Sequence, residues 1–424
     1  MMYDRLISLQ KPILASVVGA GNFGAEMVTQ IAHISNMEVA VLCDLDTKKA
    51  KNVYIEAGYS PTDIVFAETA LQANVYIEQG KRVIMDNSFE MTLTAIDVVC
   101  DATGEPYFGA ELAYKAITAG KHTVVINIES DVGAGSALHK LAQKNNVIYT
   151  EADGDQPSLI NGLFDWCRCL GIDVIAAGKW TTLLPEELWA DKVKRTDSGY
   201  ADGSKNQVEM CCVANMTGLL PDKRGMHKPS LILKDIPEVF CTKGDGGIFE
   251  STGVVDVVNC LSPDGKTVLE GVLSGGVFVV AQCDNPRFDS TLYSKNVLHS
   301  KNNKRALLYR PYHMVGIEAP ISIMRAVLYN EATGAPLKEP VAEVVAIAKR
   351  DLKKGDRLDG IGGKTVRGEI ERVEVLKNNR YLPLCLAEDV VLNTDVSHNT
   401  PITMDMLESP GQSFMWKLKT GSIL

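Results

Sequence analysis

The sequence predicts an α/β fold: a Rossmann-type doubly wound parallel sheet, followed by an α+β domain and a small β-rich domain. Three observations predict it. A glycine turn stands between an apolar strand and an amphipathic helix near the N-terminus, strand-turn-helix units recur up to residue 150, and short strands and turns replace them beyond Val341. Repeated units of the first kind form a parallel sheet covered by helices, whose ligands lie beyond the carboxyl ends of the strands. The expected boundaries are 1–150 for the sheet domain, 151–338 for the α+β domain with its end packing back on the first, and 339–424 for the tail.

The first strand is the apolar run 13–18, and Gly19, Gly21, Asn22, Phe23 and Gly24 follow at once, ahead of a helix with Met27, Ile31 and Ile34 on one face. In this context a G-x-G-x-x-G turn marks a dinucleotide site. The glycines allow a tight turn and close backbone approach to a pyrophosphate, and the helix N-terminus attracts its charge. A second strand, 39–43, ends at Asp44, twenty positions past Gly24, where a carboxylate can accept from a ribose diol and favours NAD. Lys48 and Lys49 follow closely and would serve a 2'-phosphate if the acid turned away. A purely structural alternative makes Asp44 the cap of the next helix. Residues 60–92 read as an insertion. The run 95–100 then leads into Asp101, Thr103, Gly104, Glu105 and Pro106, so Thr103, Gly104 and Glu105 are expected on the nicotinamide side of the crevice.

The 424 residues carry 43 Lys+Arg against 53 Asp+Glu, a formal charge of -10, and a net negative field disfavours nucleic acid and anionic membranes. The start of the chain lacks the order of a secretory signal, and no run is long enough to span a bilayer. Ten scattered cysteines match no zinc spacing and read as reduced thiols of a cytoplasmic protein.

Chemistry is expected in the middle region. Glu151, Asp153 and Asp155 alternate with small residues after an apolar strand and could present oxygens to Mg²⁺ or Mn²⁺, or simply form a solvated helix start. Lys179 closes an apolar strand, a costly place for a lysine without an anionic partner, and is the leading candidate for proton donation to a carbonyl; a lysine snorkelling from a strand edge is the alternative. Ser204, Lys205 and Asn206 open a helix behind a flexible Asp-Gly turn, which suits a phosphate or carboxylate on a small substrate. Glu209 lies one turn further along and could face the same site.

The glycine turn, "DATGEP", "AGKHTVVINIE", "EADGDQPSLI", the 202–222 stretch and "YRPYHMVGIEAPIS" together resemble homoserine-dehydrogenase-like oxidoreductases. They are closer still to the 1-deoxy-D-xylulose 5-phosphate reductoisomerase-like family with a C-terminal SAF domain. That resemblance implies an NADPH-dependent (NADH possible) rearrangement and reduction of 1-deoxy-D-xylulose 5-phosphate to 2-C-methyl-D-erythritol 4-phosphate, a step of isoprenoid biosynthesis. It also implies a homodimer, with Glu151, Asp153 and Asp155 on a divalent metal, Lys179 near the reacting oxygens and Ser204, Lys205 and Asn206 on the phosphate. The homoserine dehydrogenase alternative is weakened, because the lysine expected after "TVVIN" is replaced by Asn127-Ile-Glu129; a dehydrogenase of another small hydroxylated substrate stays open. A nucleotide-sensing protein without chemistry is the remaining rival. Arg310, Tyr312 and His313 cluster late in the region. The guanidinium of Arg310 suits a phosphate, and His313 suits proton transfer or plain packing. The tail beyond Val341 resembles a SAF domain.

Overall fold

The structure is a computed structural model that describes residues 1–183, 202–273, 275–302 and 304–422. The chain forms two compact units: 1–158 with 314–338 and 413–424, and 159–313 with 339–412.

The first unit is built on seven strands: β1 (Ile13–Val18), β2 (Met37–Cys43), β3 (Ile64–Phe66), β4 (Arg82–Met85), β5 (Val98–Asp101), β6 (His122–Val125) and β7 (Tyr149–Glu151). Their order is β3-β4-β2-β1-β5-β6-β7, and every neighbouring pair is parallel. Strands covered on both faces need apolar side chains on both, and β1 and β2 are buried almost throughout. The chain leaves β1 toward β2 on one side and returns to β5 on the other. That reversal opens a crevice at their carboxyl ends, where Val18 pairs with both Cys43 and Asp101.

The expected insertion at 60–92 is instead part of this sheet. It supplies β3 and β4 and the helix Ala70–Glu78 between them. Strands of three and four residues are too short to display a readable alternation, which is why the pattern hid them. The returning segment 314–338 is fastened to β7: Glu151 N–H donates to Gly334 O at 2.8 Å, and the Thr150 hydroxyl accepts from Thr333 and Gly334 N–H. Ile323 of helix Pro320–Tyr329 joins the core with Val17, Met27 and Ile31. The last helix, Phe414–Lys419, also belongs to this unit, with Phe414 edge-on to Tyr114 at 5.4 Å.

The second unit holds a four-stranded mixed sheet of β8 (Asp173–Thr181), β9 (Val254–Asn259), β10 (Val277–Gln282) and β11 (Arg305–Arg310), ordered β11-β10-β8-β9. Two antiparallel pairs follow, β12 (Ala342–Ala348) with β14 (Val366–Arg372), and β13 (Arg357–Asp359) with β15 (Glu388–Val391). Helix Ser204–Thr217 is almost wholly buried, so its sequence has no polar stripe. Its Asn215 side chain closes hydrogen bonds with the backbone of Val341 and Ala342, tying 339–412 to the rest of the unit. No helix among the described residues is long and apolar enough to cross a membrane.

Candidate active site

The glycine turn divides its three glycines by role. Gly19 has φ +97°, and a Cβ there would lie 2.8 Å from the Ala102 carbonyl oxygen; one at Gly24 would lie 1.9 Å from the carbonyl oxygen of Gly19. Both are required by the protein's own packing. Gly21 has φ -72° and nothing within 4 Å of a Cβ, so only an approaching ligand gives a reason for its smallness. It is the N-cap of helix Asn22–Ile31, which no side chain caps. Asn22 and Phe23 are exposed on that first turn. An open, uncapped helix start is the arrangement that receives a phosphate anion, so the residues fit a dinucleotide.

Asp44 is fixed at the end of β2. One carboxylate oxygen accepts from Ala20 N–H at 2.6 Å and the other from Asp46 N–H at 2.8 Å. The acid is therefore tied to the glycine turn rather than turned away from it. Capping of helix Thr47–Glu56 belongs to Asp46, which accepts from the N–H groups of Lys48 and Lys49.

The loop after β5 is organised by two residues that sequence reasoning passed over. Asp101, fully buried, accepts from the N–H and hydroxyl of Thr103 at 3.0 and 2.7 Å and from the Asn127 amide at 3.2 Å. Asn127 also donates to the Glu105 carbonyl at 2.9 Å. Thr103, Gly104 and Glu105 thus form a loop held from beneath, with Gly104 and Glu105 exposed. Gly109 is demanded by the same network, since a Cβ there would lie 2.4 Å from Asp101 Oδ2. The available signal was a polar residue closing one apolar strand, Asp101 of β5, and another just beyond the next, Asn127 past β6.

Burial pushes the Asp101 carboxyl up to about 6 against its hydrogen bonds from Thr103 and Asn127. The folded state therefore holds this proton more tightly than the unfolded chain. Its contribution to stability falls as pH rises from about 4 to about 6 and is constant beyond, a change of about 3 kcal/mol. Urea melts of the wild type and Asp101→Asn across that range are expected to show the wild type losing this amount relative to the variant. A difference independent of pH would contradict it.

The acidic triplet does not form a shared centre. Among the described residues the ligand atoms of Glu151, Asp153 and Asp155 are not gathered in one ion-sized group. The reason is local. Glu151 ends β7 and is buried, Asp153 turns onto the N–H of Gly154 at 2.9 Å, and Asp155 turns onto the N–H of Gln156 at 2.7 Å at the start of helix Gln156–Cys169. Asp153 N–H donates to the Ser322 hydroxyl at 2.7 Å.

In the second unit Lys179 lies on β8, 6% exposed, in an ion pair with Glu209 of helix Ser204–Thr217, itself 2% exposed. The expected anionic partner of the lysine is thus the acid expected beside the substrate. Lys179 and Arg310 are both cross-strand partners of Val277, so the two cations occupy one row and one face of the sheet, two strands or about 10 Å apart. Arg310 lies over the Tyr312 ring at 4.6 Å. The His313 ring Nδ1 faces the Gly275 carbonyl at 2.8 Å, with the ring exposed.

Lys205 stands four residues before Glu209, hence on the same helix face, and is partly exposed. Ser204 and Asn206 are buried, and the Ser204 hydroxyl accepts from Gly368 N–H of β14 at 2.8 Å. That hydroxyl is engaged in holding β14 to the helix. Lys179, Glu209, Lys205 and Arg310 are the predicted residues that the second unit brings to a common region; Ser204 and Asn206 serve its interior.

Residues 154–319 match the family model described as the catalytic domain of oxidoreductase DRL. No curated protein matches the chain. Among solved structures, scyllo-inositol dehydrogenase from Lactobacillus casei with NAD(H) and scyllo-inositol aligns over 77% of this chain and 92% of its own, at 14% identity and TM-score 0.42. A 3-ketoreductase from Actinomadura kijaniata, with TDP-benzene and NADP, aligns over 75% and 90%, at 12% identity and TM-score 0.39. Likeness at this level carries nothing about substrate. With an oxidoreductase catalytic region and a dinucleotide-type glycine turn, the chain is an NAD(P)-dependent oxidoreductase.

Proposed function

We propose that the chain is a dehydrogenase that interconverts an alcohol and a carbonyl on a small polyhydroxylated substrate, with NADH as the preferred nicotinamide. The observation that carries this reading is the buried Lys179–Glu209 pair in the row shared with Arg310. A lysine aimed by a carboxylate can hand a proton to a substrate oxygen, and in the reverse direction the pair can take it back. Arg310 adds a second positive charge that favours an oxyanion. The uncapped helix start at Gly21 takes the pyrophosphate, Asp44 takes the ribose hydroxyls, and the loop pinned by Asp101 and Asn127 borders the ring. Bound nicotinamide supplies or accepts the hydride.

The test is NAD(P)H absorbance with a panel of polyols, hydroxy acids, homoserine and sugar phosphates. Turnover of an unphosphorylated polyol or hydroxy acid, lost in Lys179→Met, supports the reading. Turnover only with phosphorylated sugars replaces it by the second one below.

NADH is favoured because Asp44 is clamped by Ala20 N–H: its charge meets a 2'-phosphate with like-charge repulsion. Asp44→Ser is expected to raise the NADPH to NADH ratio of kcat/KM about 30-fold, or about 2 kcal/mol. An unchanged ratio would remove Asp44 from the cofactor site.

One observation favours the reductoisomerase reading as a second choice. Lys205 lies in the first turn of helix Ser204–Thr217, where a cation suits a substrate phosphate, while the Ser204 N–H of that turn is taken by the Asp202 carboxylate at 2.9 Å. In that reading the substrate is 1-deoxy-D-xylulose 5-phosphate, and the two strand pairs of 339–412 are the SAF-type segment.

A further inference from the structure

The loop 221–229 lies outside the groups assigned to the dehydrogenase. Leu220 bridges Val254 and Ser230 bridges Asn259, so this segment runs beside β9, the edge strand of its sheet. It advances ten positions (220 to 230) while β9 advances five (254 to 259), and the excess is thrown out as a bulge. Gly225, Met226 and Lys228 all have positive φ, +72°, +68° and +58°. Left-handed backbone at two non-glycine residues costs free energy and persists only where the surroundings over-determine it.

Those surroundings are visible. The buried Asp256 carboxylate accepts from the N–H groups of His227 at 2.8 Å, Lys228 at 2.9 Å and Val257 at 2.8 Å. Gly225 N–H donates to Ile370 O at 2.9 Å, and His227 Nε2 meets Asp222 Oδ2 at 2.8 Å. The nearby Glu369 is taken by Arg224 at 3.0 Å and by Arg367 at 2.7 Å. Every polar group of the bulge named so far is paired. The half-buried amine of Lys228 makes no hydrogen bond or ion pair among the described residues.

We propose that Lys228 is a carbonyl-capturing amine, a site at which a small aldehyde or ketone condenses to an imine. The clamped bulge engages the neighbouring carboxylates with other donors, Asp256 with three backbone N–H groups and Glu369 with Arg224 and Arg367, and presents the amine without an ion pair to break. Burial lowers its basicity, with Arg367 and Lys223 adding to the effect and Glu369 and Asp256 opposing it. More of the amine is therefore unprotonated at neutral pH, which is how a lysine becomes nucleophilic. The free amine attacks the carbonyl carbon, a C–N bond forms, and the oxygen takes a proton as a carbinolamine. Loss of water then leaves C=N, the nitrogen giving up its proton, with no oxidant or reductant required.

The experiment uses the full-length wild type with glycolaldehyde and cyanoborohydride at pH 7.5, stopped at low conversion and mapped by peptide mass spectrometry. Lys228 is expected to be labelled about tenfold faster than the exposed Lys48 and Lys266, the direction that its lowered basicity gives. Its rate should rise to a plateau at lower pH than theirs. Lys228→Arg should lose this label alone while the other sites react as before. Labelling of Lys228 no faster than Lys48 and Lys266, or with the same pH profile, overturns the proposal. No nicotinamide is involved, so the outcome is independent of the dehydrogenase reading.

Discussion

Lys179→Met is expected to lower oxidoreductase turnover by about 10²–10⁴-fold, the range for loss of a positioned proton donor, and to destabilise the protein by about 3–5 kcal/mol. The second effect arises because Glu209, 2% exposed, is left as a buried charge without its counterion. The two effects separate in the double variant. Lys179→Met with Glu209→Leu replaces the pair by apolar groups of similar volume, a change that is often neutral for folding. Its melting temperature should return close to that of the wild type while turnover stays lost. Glu209→Leu alone takes this buried carboxylate from the lysine and should also be destabilised. Recovery of activity in the double variant, or full activity in Lys179→Met, would assign the pair a structural role and leave the chemistry to other groups.

The parts of the fold that were legible in the sequence are those whose signal is local. A six-residue apolar strand, a glycine turn and a helical stripe lie within twenty residues, and the order of β1, helix Asn22–Ile31 and β2 follows from them. β3 and β4 escaped because so few residues carry no period, and what places them is pairing with β2 across the sheet. Site residues divide the same way. Lys179 and Glu209 could each be singled out, but their pairing spans thirty positions and needs the helix laid on the sheet.

Its place at a helix start suggests Ser204 as a ligand group, yet its hydroxyl is met by a backbone amide 164 residues later. The alternating acids of 151–155 looked like a ligand set because spacing along a chain does not say where side chains point; two of them turn onto adjacent N–H groups. Asp44 and Asp46 are both acids in one short turn, and only geometry gives the first to the glycine turn and the second to the helix cap.

A contrast between two glycines tests the cofactor site without reference to any substrate. Gly24→Ala places a Cβ 1.9 Å from the carbonyl oxygen of Gly19, an overlap of backbone with backbone that no rotamer change relieves. Strand and helix must part, at a cost on the order of 3 kcal/mol, and cofactor binding should fail with the fold. Gly21→Ala meets nothing within 4 Å, at a φ of -72° that alanine adopts freely, so stability should stay within about 0.5 kcal/mol of the wild type. What the new methyl does obstruct is the close approach of a pyrophosphate to the amides of the helix start. The affinity for NADH, read by fluorescence titration, should drop about 100-fold, or about 2.7 kcal/mol. Only a ligand seated on this turn makes the harmless substitution for folding the damaging one for binding. If Gly21→Ala bound NADH like the wild type, the open space at Gly21 would be incidental and the dinucleotide would have to lie elsewhere.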